Sequence, residues 1–364
     1  MSVNIRAATV DDSPAILRLL ANNSQPGKLH LTFERAPDYF YGARVSCKEP
    51  DVYVAEHPDG DELVGLFNVG YREVFVNGAV ETVRYGHDLR LDQTFRGGSA
   101  MLAIYQMLRQ VLEGPEWMQS VILADNAHYI KSVGGSRPGL PSFYPCGEIE
   151  TSLLYGRRSK KVAIGNSEVR PATAEDLPLM QELLDREGPR KQFYPYYRFS
   201  ALTGTDPFYR GLKPESYWLL FERGRLTGMV GTWDQATFKQ TRVVDYSPAI
   251  ALARPFYNFG SALRGGARLP ARGGCFHYLN LHSILIEDNQ PERFELLLQD
   301  LSSRFTREYD ALVCGFFKQD PLVNELAKYR RHVLESRHFL TTYGADPRPD
   351  LDAGRIPFAD IARL

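Results

Sequence analysis

Apolar residues recur along this chain both as short strand-like runs and at helical spacings, and the same order of runs occurs twice. Residues 5–14 (IRAATVDDSP) are similar to residues 169–178 (VRPATAEDLP). Each copy predicts a short strand, a Thr/Asp helix start with Pro in the first turn, and an apolar-periodic helix. Leu19-Leu20 and Leu183-Leu184 follow at the same offset, which indicates an internal repeat.

A hairpin takes the next place in each copy. In the first copy, residues 51–55 and 63–67 are strand-like runs on either side of a turn that contains Gly60. In the second copy, residues 217–221 and 226–230 enclose a turn that contains Gly224. A short glycine-containing turn between two apolar runs is typical of a β-hairpin.

The third matched segment is a strand, a loop and an amphipathic helix. The strands are residues 89–91 and 284–286, and the loops are residues 96–98 and 289–291. Spacings of three, four and seven place the apolar helix residues on one face. They are Met101, Ile104, Leu108, Val111 and Leu112 in the first copy and Phe294, Leu297, Leu298, Leu301 and Phe305 in the second. The repeat predicts a duplicated α/β unit with domains at residues 1–157 and 168–364 and a polar linker at 158–167.

The composition is that of a globular protein with about two ordinary domains. The chain has 364 residues, of which 43% are hydrophobic, and a formal net charge of −1. This balance disfavours nucleic acid as a partner. No run reaches the roughly 20 apolar residues of a membrane span, so we expect no membrane partner.

The four cysteines indicate the compartment. They are widely separated, with no CxxC motif and no His at metal-binding spacing. The first residues lack the basic and apolar regions of a signal peptide. We therefore expect reduced thiols, no metal site and a cytoplasmic location.

The predicted order of elements resembles that of the GNAT superfamily, the Gcn5-related N-acetyltransferases, over nearly the whole chain. Residues 89–102 (LRLDQTFRGGSAML) carry the resemblance best. They are similar to the strand-turn-helix segment with which that family binds the pyrophosphate of acyl-CoA. The resemblance implies an α/β fold of the α+β type, with two GNAT-like domains that each have a mixed, mostly antiparallel central sheet flanked by helices.

The loop in this segment also suits an anion on general physical grounds. Glycines after a strand let backbone N–H groups approach a ligand, and a helix N-terminus adds unpaired donors and positive potential. The residues assigned to cofactor binding are Arg96, Gly97, Gly98, Ser99 and Ala100. The sequence departs from the family pattern Q/R-x-x-G-x-G/A, because Ser99 and Met101 occupy the two small positions. The alternative is a tight connection without a ligand.

The corresponding loop of the second copy, residues 287–293, contains no glycine. Pro291 has no N–H to donate, and three carboxylates would repel a pyrophosphate. We therefore expect a degenerate second domain without cofactor. It would cover the acceptor cleft of the first domain, form a homodimer surface or regulate.

The resemblance implies direct attack of a primary amine on acetyl-CoA, or another acyl-CoA, within a ternary complex. Such a reaction needs a general base, and the candidates are His87, Asp88 and Asp92. Strand alternation would place His87 on the same face as Leu89 and Leu91.

The resemblance also implies contacts to the cofactor chain and a proton donor for the departing thiolate. The backbone of Leu89 and Leu91 would contact the acyl and pantetheine portions, and Asn126 would bond the pantetheine. Tyr129 is the candidate acid, although packing of this tyrosine in an amphipathic helix is an equal alternative.

Aromatic stretches at residues 32–41 and 143–148 are candidates for the acceptor side, because aromatic rings and carboxylates suit a protonated amine. Packing between domains is the favoured interpretation, which a similar stretch at residues 193–199 in the copy without the glycine loop supports. The two Arg-Gly-Gly tripeptides, at residues 264–266 and 272–274, are too few to predict nucleic-acid binding. The sequence thus favours an N-acyltransferase for a small-molecule or peptide amine; the alternative is a non-catalytic acyl-CoA-binding sensor or scaffold.

Overall fold

The protein is described from a computed structural model. The structure describes residues 3–25, 29–60, 62–96, 99–124, 126, 139–155, 166–264, 268–306 and 308–364. We call the described residues up to 155 the first half and those from 166 onward the second half.

The elements of the first half follow the predicted order. Its strands are β1 (Asn4–Ala7), β2 (Leu29–Glu34), β3 (Val52–Glu56), β4 (Leu63–Val76), β5 (Ala79–Leu91), β6 (Trp117–Leu123) and β7 (Ser142–Leu154). Its helices are α1 (Ser13–Asn22), α2 (Tyr39–Ser46) and α3 (Ser99–Val111). The predicted hairpin is confirmed as the pair β3–β4.

The second half repeats this order with additions. Its strands are β8 (Ser167–Pro171), β9 (Lys191–Gln192), β10 (Tyr217–Glu222), β11 (Arg225–Trp233), β12 (Gln240–Tyr246), β13 (Tyr278–Ile286), β14 (Ala311–Phe317), β15 (Arg331–Thr342) and β16 (Ile356–Pro357). Its helices are α4 (Leu177–Glu187), α5 (Pro248–Arg264), α6 (Pro291–Phe305) and α7 (Val323–Leu326). The second predicted hairpin is confirmed as β10–β11.

Among the described residues, twelve strands form one mixed sheet in the order β1-β3-β4-β5-β6-β15-β7-β14-β13-β11-β10-β8. The order is symmetric about the central pair β15–β7. Neighbours are antiparallel except at β5–β6 and β13–β14, which are parallel. Because helices cover this sheet, the predicted mixed, mostly antiparallel sheet flanked by helices is confirmed.

The last long strand of each half lies in the other half's part of the sheet. β7 of the first half pairs with β14, and β15 of the second half pairs with β6. β7 and β15 also pair with each other along most of their length. The two sequence copies therefore share one continuous sheet.

The helix starts of the two copies have the same bonds. Arg6 Nη2 lies 2.7 Å from Asp12 Oδ1, and Arg170 Nη2 lies 2.7 Å from Asp176 Oδ1. Each carboxylate also accepts from the backbone N–H of the Thr three residues earlier. This cap explains why the Thr/Asp spacing recurs in the sequence.

The aromatic stretch at residues 193–199 packs between the halves. Tyr194, Tyr197 and Phe199 are fully buried. The Phe75 N–H donates to the Tyr194 carbonyl at 2.9 Å, and the Phe193 N–H donates to the Phe75 carbonyl at 2.7 Å. The packing interpretation is thus confirmed for this stretch.

A β-bulge occurs at matching places in β5 and β13. In β5, His87 pairs with Asn68 and Arg90 with Leu66, so two residues of β5 oppose one of β4. The extra residue Asp88 has a φ of 53°, a left-handed conformation that is uncommon outside glycine. Directly paired residues face the same side of the sheet. Because the partners Asn68 and Leu66 are two positions apart on β4, His87 and Arg90 also face the same side. The predicted alternation, with His87 beside Leu89 and Leu91, is wrong because the bulge interrupts it.

In β13 the register shift and the left-handed residue occur again. His282 pairs with Gly231, and the following Ser283 has a φ of 48°. A Cβ atom on Gly231 would lie 2.3 Å from His282 Nε2. Glycine is therefore required by close approach at this position.

Replacing Gly231 with Ala is expected to lower the free energy of unfolding by about 1–3 kcal/mol, because His282 and Ser283 are buried and cannot move aside freely. Urea denaturation measures this change. Gly204→Ala is the matched control, since its nearest contact is 3.4 Å away at the Ala201 carbonyl. Equal stability of the two variants would contradict the bulge packing.

Candidate active site

β5 and β6 run side by side for a short distance and then separate. The paired residues are Arg84–Gly86 on β5 and Met118–Ser120 on β6. Beyond them, β5 continues to Leu91 and β6 to Leu123, with no further pair between these strands in the described part of the chain. Backbone groups along such a gap need other partners. An extended ligand can therefore add to the strand edge there.

The bulge residue Asp88 lies where this gap begins, within a polar cluster. Arg35 Nη2 lies 3.1 Å from Asp88 Oδ2 and 3.3 Å from Oδ1. The Tyr39 hydroxyl donates to the same carboxylate at 3.3 Å, and His87 Nδ1 lies 3.1 Å from Oδ2. Tyr39 is positioned by the start of α2, where the Asp38 carboxylate caps the helix.

The neighbouring charges fix the protonation states of this cluster. Burial alone would raise the pKa of Asp88, but attraction by Arg35 and the hydrogen bond from His87 outweigh it and hold the pKa well below its ordinary value. Burial lowers the pKa of His87, and Asp88 only partly opposes this. Because an ionised carboxylate can only accept, Nδ1 of His87 carries the proton and Nε2 the lone pair. Nε2 lies 3.8 Å from Cys47 Sγ, a weak donor.

The second half adds a lysine to this region. β12 pairs with β2 of the first half in a separate antiparallel ribbon, and Lys239 immediately precedes β12. Lys239 Nζ donates to the backbone oxygens of Leu364 at 2.7 Å and Ala362 at 3.3 Å. Burial, followed by repulsion from Arg35, lowers the pKa of Lys239 to about 7. This side chain therefore exchanges a proton near neutral pH, unlike an ordinary lysine.

Part of this cluster was not predicted from the sequence. Arg35 and Tyr39 lie in the stretch at residues 32–41, for which packing was the favoured interpretation. Tyr39 does pack in the core, yet its hydroxyl reaches Asp88. Lys239 gave no local signal, because its partners lie 123 and 125 positions away.

The residues predicted to bind acyl-CoA lie toward α3. Leu91 is buried and Leu89 partly buried against the α3 core. The Leu91 carbonyl accepts from Arg96 Nε at 3.2 Å, and Arg96 also donates to Asn23 Oδ1 at 2.5 Å. The exposed Arg96 is thus held at the end of β5, close to the start of α3.

The remaining predicted residues divide into two groups. Ser99 is exposed as the first residue of α3, and Ala100 is buried beneath it. Asn126 is exposed just after β6, where its N–H donates to the Leu123 carbonyl at 3.0 Å. Gly97, Gly98 and Tyr129 lie outside the described residues.

Solved structures share this architecture. N-myristoyltransferase from Saccharomyces cerevisiae, solved with bound myristoyl-CoA, is 12% identical with a TM-score of 0.59, over 96% of this chain and 86% of the yeast chain. A GCN5-related N-acetyltransferase from Sphaerobacter thermophilus is 15% identical with a TM-score of 0.52, over 94% and 97% of the two chains. The chain has the GNAT fold. The predicted resemblance is thus confirmed at the level of the fold.

A third structure with the GNAT fold, a GCN5-related N-acetyltransferase from Anabaena variabilis, is 11% identical. Its TM-score is 0.51, over 93% of this chain and 72% of the Anabaena chain. No protein-family model and no curated protein sequence matches the chain.

In the second half of this GNAT fold, β13 and β14 separate as β5 and β6 do, but residues 360–361 fill the gap between them. Pairing of β13 with β14 stops after Asn280 and Val313. The Asp360 carboxylate accepts from the Tyr197 hydroxyl and, at 3.4 Å, from the Ser283 N–H. Ile361 packs so closely that a Cβ on Gly315 would lie 2.7 Å from its side chain. A ligand could enter this gap only by displacing the segment.

The loop after β13 likewise uses its donors within the protein. The Asp288 N–H donates to Glu187 Oε2 at 3.2 Å, so a protein carboxylate occupies a position that an anion would need. Glu287 is buried and forms ion pairs with Arg186, Arg225 and Arg293. Three carboxylates were expected to repel a pyrophosphate here, and two of them, Glu287 and Asp288, form ion pairs with arginines.

Two further observations concern metals and membranes. Within the residues described, no three His, Cys, Asp or Glu side chains come together as metal ligands. The helices of the described chain are all too short or too polar to cross a bilayer.

Proposed function

We propose that the chain is an acyl-CoA-dependent N-acyltransferase that transfers acetyl from acetyl-CoA to a primary amine of a small molecule or peptide. The observation that carries this proposal is the position of the His87–Asp88 bulge where β5 and β6 separate. The matching gap of the second half is filled by residues 360–361. The solved structures with this fold are named as N-acetyltransferases and an N-myristoyltransferase, which supports the same reaction class.

In this proposal the acyl-CoA lies between the β5 edge and the start of α3. Arg96 and Ser99 are exposed there, which supports a site for the pyrophosphate. Ala100 is buried and would offer only its backbone. Gly97 and Gly98 would complete the loop. The backbone of Leu89 and Leu91 and the exposed Asn126 would contact the pantetheine.

The polar cluster would act on the acceptor. The acyl-CoA supplies a thioester carbonyl when bound. Ionised Asp88 attracts the ammonium form of the acceptor, which releases one proton to water to become the attacking amine. Neutral His87 can then take the second proton that the nitrogen loses as the C–N bond forms and the C–S bond breaks. The departing thiolate needs a proton, for which Tyr129 remains the candidate.

The second half would cover the acceptor side. β12 lies against β2, and Lys239 lies in the same charge cluster as Arg35 and Asp88. Of the roles expected for this half, the pairing favours a cover over a homodimer or regulatory surface. We retain residues 1–157 and 168–364 as two copies of one duplicated unit joined by 158–167.

One observation favours the alternative, a non-catalytic acyl-CoA-binding sensor or scaffold. The strongly lowered pKa of Asp88, caused by Arg35 and His87 against the effect of burial, makes this carboxylate a weak base. If His87 does not accept the proton, the cluster would bind charge without catalysis.

Acetyl-CoA is expected to stabilise the purified chain against thermal unfolding, by about 2.7 kcal/mol at 100 times its dissociation constant. Gly97→Glu/Gly98→Glu should abolish the shift, because it places two negative charges in the pyrophosphate loop. Gly265→Glu/Gly266→Glu is the matched control, since both glycine pairs follow an arginine. Release of free CoA thiol with a panel of amines then measures turnover.

The results of these two measurements distinguish an enzyme from a non-catalytic sensor. A shift lost only in the first variant, with amine-dependent CoA release, supports the enzyme. A shift without turnover on any amine supports the sensor. The absence of a shift with acetyl-CoA, longer acyl-CoAs and CoA would overturn both.

A further inference from the structure

Helix α5 carries an apolar face that the described chain leaves uncovered. Leu252, Phe256 and Phe259 are 77%, 78% and 70% exposed. Their spacing of four and three residues places them on one side of the helix. None of the α5 side chains that the structure describes, at residues 248–261, is buried. A row of large exposed apolar side chains of this kind marks an interaction site.

The helix is held in place by polar contacts. The Asn258 side chain donates to the Leu269 carbonyl at 2.9 Å and accepts from the Leu269 N–H at 2.9 Å. Arg254 Nε donates to the same carbonyl at 3.1 Å. Residues four apart lie on one side of a helix, so α5 is fixed by the side that bears Arg254 and Asn258. The apolar side is thereby presented outward.

The surrounding sequence has one sign of charge. Residues 246–276 contain four arginines and no Asp or Glu, although the whole chain has a net charge of −1. Arg272 pairs with Asp245, just outside this segment. The segment that carries the apolar face is therefore basic in sequence, and its partner should offer both apolar groups and negative charge.

We propose that α5 docks on the surface of an anionic phospholipid bilayer, with Leu252, Phe256 and Phe259 at the acyl boundary and the net positive charge of residues 246–276 attracted by the headgroups. An amphipathic helix with aromatic and leucine residues on one face and arginines nearby is the kind that lies in the bilayer interface. A second copy of this chain fits less well. In a twofold dimer the patch would meet itself, which brings two segments of the same positive charge together.

This inference stands independently of the proposed acyl transfer. No membrane partner was predicted from the sequence because no apolar run is long enough to span a bilayer, but a helix lying in the interface needs no span. α5 begins two residues after β12, the strand that pairs with β2. Docking would hold the ribbon formed by β2 and β12 near the membrane surface.

The test is sedimentation of the full chain with vesicles of phosphatidylcholine alone and of phosphatidylcholine mixed with phosphatidylglycerol. The native protein should sediment with the anionic vesicles at low salt, and binding should fall with added salt. Leu252→Ser/Phe256→Ser/Phe259→Ser should reduce binding at least tenfold. Val10→Ser/Val80→Ser/Leu179→Ser is the matched control, because these residues are also exposed and apolar.

A second measurement reports insertion directly. Phe256→Trp should show a blue-shifted emission with anionic vesicles and none with phosphatidylcholine alone. Far-UV circular dichroism and the thermal midpoint of each variant must match the native protein. Vesicle binding that the serine variant retains, or no binding at low salt, would overturn the proposal. Two other results would also overturn it, if the native chain binds no vesicles. One is a dimer of the native chain that the serine variant does not form. The other is binding of a single-stranded oligonucleotide that the serine variant loses.

Discussion

Replacing His87 with Gln is expected to lower kcat by about 10²- to 10⁴-fold while leaving acetyl-CoA binding intact. Gln retains a donor toward Asp88 but has no titrating nitrogen. In the native protein, kcat/KM should fall as the pH drops through a value below 6.5, because the proton acceptor must be neutral and burial lowers the pKa of His87. The pH–rate profiles of the two proteins, followed by CoA release, measure this.

Lys239 is the competing proton acceptor, and a variant separates it from His87. Its pKa is lowered to about 7, first by burial and then by Arg35. Lys239→Met retains most of the side-chain length without the amine. An acidic limb near pH 7 that persists in His87→Gln and disappears in Lys239→Met would assign the proton to Lys239. That result would contradict the role given to His87.

The elements that sequence predicted correctly are those set by local pattern. The Thr/Asp caps at residues 9–12 and 173–176 are formed within four residues of chain. The apolar faces of α3 and α6 bury Ile104 and Leu297 as their periodicity requires. Such features need no knowledge of distant partners.

The features that sequence did not predict depend on distant pairing. The exchange of β7 and β15 joins residues nearly two hundred positions apart, as at Leu154 and Arg331. No local periodicity encodes that choice. One local signal was overlooked: Asn77-Gly78 is a typical tight-turn pair, both residues have positive φ, and they join the long strands β4 and β5.

The candidate site was likewise predicted only in part from the sequence. Residue type and position beside the glycine loop pointed to His87 and Asp88. Their protonation states follow instead from Arg35 and from burial, which arise only when β2 and α2 fold over the bulge. The broken alternation at Asp88 had no signal, because the left-handed backbone there is held by tertiary contacts.

Arg363 joins the two halves at the filled gap. Its side chain is 1% exposed, and its guanidinium lies 3.7 Å from the Phe208 ring centroid and 4.8 Å from that of Trp233. Nη1 donates to the Val45 carbonyl of the first half at 2.6 Å and to the Phe208 carbonyl of the second at 2.8 Å. The side chain thus supplies packing volume, cation–π contact and two buried hydrogen bonds at once.

Replacing Arg363 with Ala is expected to lower the free energy of unfolding by about 3–5 kcal/mol, because it leaves a cavity among aromatic rings and two buried carbonyls without a donor. Urea denaturation measures the loss. Arg348→Ala is the matched control: Arg348 is exposed and pairs with Asp346, so its removal should cost less than about 1 kcal/mol. Arg363→Met should recover part of the loss, since it restores volume but not the donors. If Arg363→Ala were no less stable than the control, the buried arginine would not hold the halves together.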